Sequence, residues 1–270
     1  MPKRYLIVEE GTGDVVDEIT RSTEQEKRYA AEKQKREDYI RKSKSFIACF
    51  PKELRTINQE LTLIEAGAAM RLLGFLRWKE KGRLIDGGKS LTVKDLAKIF
   101  KKGLTATKDI LNRLESFELV SRLREGQANA FFINPRFFQF GGKINSKDFT
   151  KLFVVESRNL VNDLSIQEAG LLWKIIPHFN YENYYLCVNP TEKDAKHMSR
   201  ETLAAHIKHD PKTVGKLMSG LNIKGAVLIT QTLGSKRYLI NPDLMYRKSY
   251  DDETTRNVQG MFEQHRKTLH

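Results

Sequence analysis

The stretch Leu61-Thr62-Leu63-Ile64-Glu65-Ala66-Gly67 occurs a second time, 103 positions later, as Leu164-Ser165-Ile166-Gln167-Glu168-Ala169-Gly170. Further matches continue the pattern: Leu114 corresponds to Leu221, and Phe132-Ile133-Asn134-Pro135 corresponds to Leu239-Ile240-Asn241-Pro242, now 107 positions apart. The second copy therefore carries four extra residues near its middle. A period of this length indicates one small domain that was duplicated, because solenoid repeats are much shorter.

The composition bounds what the two copies can be. The chain has 270 residues with 40% hydrophobic content, which is enough for two ordinary domains with their own cores plus extensions. No run approaches the roughly 20 apolar residues of a membrane span, and the start, Met1-Pro2-Lys3-Arg4, does not lead into the apolar core of a signal peptide. We therefore expect a cytoplasmic protein without a membrane partner. Cys49 and Cys187 are far apart and suggest no disulfide framework.

The net charge of +13 is concentrated in the two copies. Lys and Arg exceed Asp and Glu by 8 over residues 61–150 and by 5 over residues 151–250. A basic surface attracts polyanions, so charge alone is compatible with both nucleic acid and an anionic membrane surface.

The periodicity of the first copy predicts three helices and a hairpin. Apolar residues at helical spacing predict helices over 61–79, from about Thr92 to Lys101, and from about Thr105 onward. The last two are separated by a tight turn that contains Gly103, as a helix-turn-helix requires. Alternating residues then predict a hairpin over 119–124 and 130–133. In the third helix we expect four residues to face inward: Ala106, Ile110, Leu114 and Phe117.

The second copy repeats this order. Helices are predicted over 165–178, 199–207 and 211–221, followed by strands over 227–232 and 237–240 with a turn at Gly234-Ser235. Asp210-Pro211 is a favourable helix start, because Asp caps free amides and Pro fits the first turn. The expected fold class is mainly α with small β-hairpins (α+β), in the form of two tandem winged helix-turn-helix domains.

The flanking segments differ in kind. Residues 5–10 and 14–19 predict a hairpin around Gly11-Thr12-Gly13, and Ser22 with Gln25 predicts a capping box that opens a charged helix over 23–42. The tail is polar, with three anchors: Val258, Met261 and Phe262. The predicted organisation is an N-terminal hairpin and charged helix (1–50), two winged helices (51–145 and 146–250) and a polar tail (251–270).

A DNA-binding winged helix places its third helix in the major groove, while basic residues on the rim and hairpin contact phosphates. In the first copy the candidate DNA-binding residues are Lys101, Lys102, Thr105, Lys108, Asn112, Arg113, Arg122 and Arg124. In the second copy they are Lys208, Lys212, Lys216, Lys236 and Arg237.

The two copies differ at the positions best suited to reading bases. Asn pairs with adenine and Arg with guanine, so Asn112 and Arg113 favour base recognition. Their counterparts are Ser219 and Gly220, so the second copy is better suited to phosphates. We therefore expect the first copy to supply most of the sequence specificity.

The sequence does not contain the sets of residues that several enzyme classes require. The loop from Gly82 to Ser90 is one residue too long for a nucleotide-binding P-loop and joins two predicted helices. His206, His209 and Cys187 do not have the spacing of a tetrahedral metal site. The tyrosines around Tyr184 lack the histidine pair that accompanies a DNA-nicking tyrosine. We predict no catalytic residues, no cofactor and no metal.

Three segments carry a family resemblance. Residues 12–17, Phe132-Ile133-Asn134-Pro135 and residues 239–245 resemble the corresponding parts of small winged-helix replication proteins of Firmicute plasmids, the RepL type, and of related phage proteins. Those relatives carry one winged helix, whereas this chain has two. The resemblance implies double-stranded DNA as partner and an initiator or regulatory role on a mobile element.

It also implies a bacterial cytoplasmic location at the nucleoid or a plasmid. Replication or transcription proteins, or a second copy of the chain, would be further partners. The alternative is an interaction protein whose winged helices mainly bind protein.

Overall fold

The computed structural model describes residues 3–8, 15–32, 44–126, 128–146, 148–232, 235–248 and 251–269. The chain forms two compact units, Met1–Lys44 and Ser45–His270. Across the described residues the architecture is mixed α+β, with helices and small antiparallel sheets. Within those residues no helix has the length and apolar character needed to cross a membrane.

The first unit contains the predicted hairpin. Strand β1 (Lys3–Val8) pairs antiparallel with β2 (Val15–Arg21), and residues 23–32 are helical (α1). The capping box is confirmed, since Ser22 N donates to Gln25 Oε1 at 2.8 Å and Gln25 N donates to Ser22 Oγ at 3.2 Å. The glycine turn at 11–13 and the predicted helical residues 33–42 lie outside the described residues.

The second unit begins with the elements of the first repeat, which we define as residues 46–140. They are β3 (Phe46–Cys49), α2 (Pro51–Asn58), α3 (Leu63–Leu72), a 3-10 turn (Leu73–Phe75), β4 (Ile85–Asp86), β5 (Lys89–Ser90), α4 (Val93–Phe100), α5 (Leu104–Ser116), β6 (Val120–Glu125), β7 (Ala128–Ile133) and β8 (Phe138–Phe140). Helices α3 and α4 each begin with a capping box, formed by Thr62 with Glu65 and by Thr92 with Asp95.

The second repeat, residues 150–246, follows the same order, except that no strand pair equivalent to β4–β5 is assigned among its described residues. Its elements are β9 (Thr150–Phe153), α6 (Val154–Asp163), α7 (Ile166–Ile175), a 3-10 turn (Ile176–His178), α8 (Arg200–His206), α9 (Pro211–Ile223), β10 (Val227–Thr232), β11 (Ser235–Ile240) and β12 (Met245–Tyr246). The predicted start of α9 is confirmed, because Asp210 Oδ2 accepts a hydrogen bond from Thr213 N at 2.7 Å. Gly234 of the predicted turn lies outside the described residues.

Two local predictions for the first repeat were wrong. The helix predicted over 61–79 ends at Leu72, because the chain leaves through a 3-10 turn and Leu76 then pairs with Leu84 in a β-bridge. In α5, Ala106 is exposed and Thr107 is buried instead. Thr107 satisfies its hydroxyl by donating to Gly103 O at 2.9 Å, so this polar side chain is accommodated inside.

A four-stranded antiparallel sheet joins the two repeats. Its strand order is β12-β9-β3-β8, and Phe46 lies opposite Phe153 while Cys49 lies opposite Thr150. Residues 46–49, predicted to belong to the N-terminal segment, therefore pair inside the second unit. One continuous cluster of buried apolar residues extends from Ile47 to Phe262 and includes both repeats.

The predicted polar tail forms a helix, α10 (Glu253–Leu269), that packs onto the second repeat. Of its three predicted anchors, Val258 and Phe262 are buried, whereas Met261 is 37% exposed. Thr255 is also buried and its hydroxyl lies 2.8 Å from the hydroxyl of Tyr184. The tail therefore contributes to the core of the unit.

Candidate nucleic-acid interface

A basic groove of about 730 Å³ lies on the second repeat, between the start of α8, helix α9 and the β10–β11 hairpin. Its lining is Ser199, Arg200, Glu201, Lys212, Gly215, Lys216, Met218, Ser219, Ile229, Lys236 and Tyr238. We call this surface the second-repeat groove. It brings together three of the five candidate residues predicted for the second copy: Lys212, Lys216 and Lys236.

Local sequence signals place these lysines. The cap at Asp210 fixes where α9 begins, so Lys212 and Lys216 are four residues apart and lie on one helix face. Lys236 pairs with Gln231 in the hairpin register and closes the groove from the other side. A Cβ at residue 215 would lie 2.9 Å from Arg200 Cδ, so glycine there allows the Arg200 side chain to cross α9 closely.

The groove has an excess of positive charge. Arg200 forms an ion pair with Glu201 at 2.6 Å, whereas Lys216 and Lys236 are exposed and form no ion pair with any carboxylate in the described part of the chain. The backbone hydrogen bond from Thr213 lowers the pKa of Asp210, so this capping carboxylate stays ionised beside Lys212. Two lysines are thus available to an anion entering the groove.

The corresponding surface of the first repeat is less basic. Thr105, Lys108 and Asn112 are exposed along α5. Arg122, from β6, is held by Glu115, with Nε 2.5 Å from Glu115 Oε1, and its Nη2 donates to Asn112 Oδ1 at 2.8 Å. The hydrogen bond to Glu115 raises the pKa of Arg122. This pairing offsets the charge of Arg122 and orients the Asn112 amide.

Arg113 lies against the start of α3. Its Nε is 3.2 Å from Glu65 Oε1, and its guanidinium lies 4.8 Å from the centre of the Phe117 ring. A Cβ at the counterpart, Gly220, would lie 2.1 Å from Glu168 Oε1, so that position also faces the first-turn glutamate of α7. In the second repeat Lys224 supplies the cation, with Nζ 2.8 Å from Glu168 Oε2. Arg113 therefore compensates Glu65, as Lys224 compensates Glu168.

The remaining candidates are dispersed. Lys208 pairs with Glu60 of the first repeat at 3.2 Å, and the Arg237 guanidinium lies 5.9 Å from the centre of the Tyr185 ring, on the strand face opposite to Lys236. Arg124 is exposed on β6, and its Nε donates to Gly126 O at 3.3 Å. Lys102 is half-buried, and Lys101 lines a separate cavity between α3, α4 and α6.

Sequence reasoning missed Arg200 and Tyr238 of the second-repeat groove. Both lie outside α9, and they reach the groove only through the packing of α8 and β11 against that helix. Gly215 was the sequence signal that could have pointed to Arg200, because a glycine inside a helix indicates close approach of another group.

Comparison with known proteins finds no matching family model, no matching curated protein and no matching solved structure. Among the described residues no group of three His, Cys, Asp or Glu side chains is placed to hold a metal ion.

Proposed function

We propose that this chain binds double-stranded DNA through two winged helices, one in each repeat. The observation that carries the proposal is the second-repeat groove, in which Lys212, Lys216 and Lys236 converge from a helix and a hairpin on one concave surface. Groups arranged in this way can contact successive phosphates of a duplex backbone.

The order of elements supports the winged-helix assignment. Each repeat has a helix, then two helices joined by a short turn, then a two-stranded hairpin, as in α3, α4, α5 and β6–β7. This is the order of a helix-turn-helix followed by a wing. A fold of this kind binds either DNA or protein, so the proposal of DNA rests on the basic groove and not on the fold.

The two repeats have different proposed roles. Lys212, Lys216 and Lys236 contact phosphates, which position the protein without reading sequence. Asn112 and Lys108 reach base edges from the exposed face of α5, and the oriented Asn112 amide suits adenine. Together with the resemblance to RepL-type proteins, this arrangement favours a sequence-specific replication initiator or transcriptional regulator of a plasmid or phage.

Salt dependence of binding tests the proposal. The full chain is titrated against a fluorescent mixed-sequence duplex of about three helical turns. We expect the affinity to fall by about 10³-fold or more between roughly 50 and 200 mM salt, as for a protein with several phosphate contacts. Replacement of Lys212, Lys216 and Lys236 by Ala should lower the slope of log affinity against log salt by about 3.

The matched control replaces three exposed lysines away from the groove, Lys52, Lys89 and Lys193, by Ala. It removes the same charge, so it corrects for the general attraction of a basic protein. If the control loses as much affinity and slope as the groove variant, the groove is not the binding surface. If the unmodified chain has no salt-dependent affinity for duplex DNA, the protein-binding alternative replaces the proposal.

A further inference from the structure

We infer that a single chain recognises two inverted half-sites of different sequence on one duplex, one half-site for each repeat. The inference rests on the proposed function and specifies the DNA that the chain would bind. Its basis is an internal two-fold relation between the repeats, which the following contacts establish.

The central sheet has this relation in its strand order. In the order β12-β9-β3-β8, an axis between β9 and β3 exchanges those two strands and exchanges β12 with β8. Strands β3 and β9 are antiparallel, as a two-fold axis between them requires. Their outer partners β8 and β12 end the two repeats at corresponding places, and both pair antiparallel.

Helices α3 and α7 contact each other reciprocally. A Cβ at Gly67 would lie 1.8 Å from Ile166 O, and a Cβ at Gly170 would lie 1.9 Å from Leu63 O. Gly170 follows Gly67 by 103 positions, and Ile166 follows Leu63 by the same interval. Exchanging the repeats therefore converts the first contact into the second.

One pair of side-chain contacts obeys the same exchange. Arg55 Nη2 donates to Pro177 O at 2.9 Å, and its counterpart Arg158 donates through Nη2 to Gly74 O. A second pair follows the exchange only in outline: Arg71 Nη2 donates to Leu164 O at 2.9 Å, whereas its counterpart Lys174 donates through Nζ to Asn58 O, three positions before Leu61, the counterpart of Leu164. Contacts in which each partner uses the same surface on the other are the mark of an isologous, two-fold interface.

The two candidate DNA surfaces are related by this axis. Helices α5 and α9 occupy corresponding places in the repeats, as Leu114 and Leu221 show. Two surfaces exchanged by a two-fold axis can dock together on one straight duplex only if the axis coincides with a dyad of the DNA. The half-sites then run in opposite directions, and directly repeated half-sites do not fit.

The half-sites differ because the surfaces differ. Thr105, Lys108, Asp109 and Asn112 in the first repeat correspond to Lys212, Gly215, Lys216 and Ser219 in the second. A lysine therefore stands where the first repeat has an acid, and a serine where it has an amide. The chain would bind the duplex in one orientation, with stronger sequence preference in the half-site of the first repeat.

Directed cleavage tests the geometry. Ser116 and Ile223 are exposed counterparts at the ends of α5 and α9, and the native cysteines, Cys49 and Cys187, are buried, so Ser116→Cys and Ile223→Cys can each carry an iron–EDTA group. The cognate duplex is first selected from a random library with the unmodified chain. We expect mass measurement to find one chain per duplex. The two positions should cleave the DNA at opposite ends of the footprint, and the two cleavage patterns should be related by the dyad of the duplex.

Rebuilt duplexes give a second readout. Reversing the half-site of the first repeat in place gives the two half-sites the same orientation, and we expect at least about tenfold weaker binding, since most base contacts of that half are lost. A palindrome of the half-site read by the first repeat should retain more affinity than a palindrome of the other.

Several outcomes would overturn the inference. Three results would each contradict it and leave DNA binding itself intact. They are equal affinity for the duplex whose half-sites have the same orientation, cleavage patterns related by translation along the duplex, and two chains that each occupy one half-site. Absence of salt-dependent affinity for any duplex would contradict the proposed function as well, so the two failures are distinguishable.

Discussion

Arg113 and its neighbour Asn112 have different surroundings, although they are adjacent in sequence. Asn112 is exposed beside Arg122, whereas Arg113 is bound to Glu65 and would have to give up that ion pair to reach a base. Because consecutive helix residues point about 100° apart, one position faces the proposed DNA surface and the next faces α3.

We predict that Asn112→Ala weakens binding to the selected cognate duplex by roughly 1–3 kcal/mol and weakens scrambled duplex little. Arg113→Ala should lower the free energy of unfolding by about 1 kcal/mol or less, as for an exposed ion pair, with a smaller effect on discrimination. Competition titration at fixed salt and urea unfolding measure the two quantities. Loss of discrimination in Arg113→Ala alone would identify Arg113 as the base-reading residue instead.

His178 is a buried neutral side chain at the contact between the repeats. Its Nε2 lies 3.2 Å from Asn58 Nδ2, an amide donor that also binds Lys174 O at 3.0 Å. Burial, together with Arg55, His206 and Lys174, lowers the pKa of His178 to about 3. The unfolded chain therefore binds a proton at His178 below about pH 6.5 that the folded chain does not bind.

We predict that the folded protein loses stability through His178 as the pH falls from about 6.5 towards 3. His178→Phe, which installs the residue found at the counterpart Phe75, should remove this loss. The free energy of unfolding of the wild type minus that of the variant should fall by up to about 1.4 kcal/mol per pH unit in this window. His265→Gln is the control. If the difference in free energy of unfolding between the wild type and His178→Phe stays constant across this window, the folded protein binds a proton at His178 as the unfolded chain does, and the prediction is wrong.

At the scale of elements, the contact between α3 and α7 depends on two glycines. The backbones approach so closely at Gly67 and Gly170 that a Cβ at either would overlap a carbonyl oxygen of the other helix. A backbone atom cannot move aside as a side chain can, so the two helices would have to separate.

We predict that Gly170→Ala lowers the free energy of unfolding by about 3 kcal/mol or more, at the upper end of overpacking effects. Gly260→Ala is the matched control, because Gly260 also lies in a helix but a Cβ there would have no neighbour within 4 Å. It should stabilise the protein by roughly 0.5–1 kcal/mol through helix propensity. Similar effects of both substitutions in urea unfolding would contradict the close approach of α3 and α7.

At the scale of the whole second unit, the repeats share one core and one sheet. Cys49 in β3 and Cys187 in the second repeat are both fully buried within it. Burial raises the pKa of the Cys187 thiol to about 12 and also raises that of Cys49, so neither thiol reacts readily in the folded protein. Each cysteine therefore reports the unfolding of its own repeat.

We predict that the two repeats unfold in one cooperative transition. Cys49→Ala and Cys187→Ala each leave a single thiol, whose reaction with a thiol reagent is followed across a urea series. Each midpoint should coincide with the loss of helical circular dichroism in the same variant. If one thiol becomes reactive well before that loss, the repeats are independent domains.

Local sequence signals are sufficient to predict several elements of this fold. The caps at Thr92 and Asp210 set the starts of α4 and α9, and the alternation over 119–133 set the β6–β7 hairpin. These features depend on residues within a few positions of each other, so periodicity and capping chemistry are sufficient to predict them. The duplication can also be recognised from the sequence, because both copies keep the same local signals.

The way the two copies join, and the side chains that hold them together, could not be predicted from local patterns. Strands β3 and β9 have four residues each, too few for a recognisable alternation, and they pair across about a hundred positions. The partner of Arg113 and the entry of Arg200 into the second-repeat groove likewise depend on helices from distant segments. The physical reason is that such contacts form only after the shared core has brought those segments together, and no local pattern specifies that meeting.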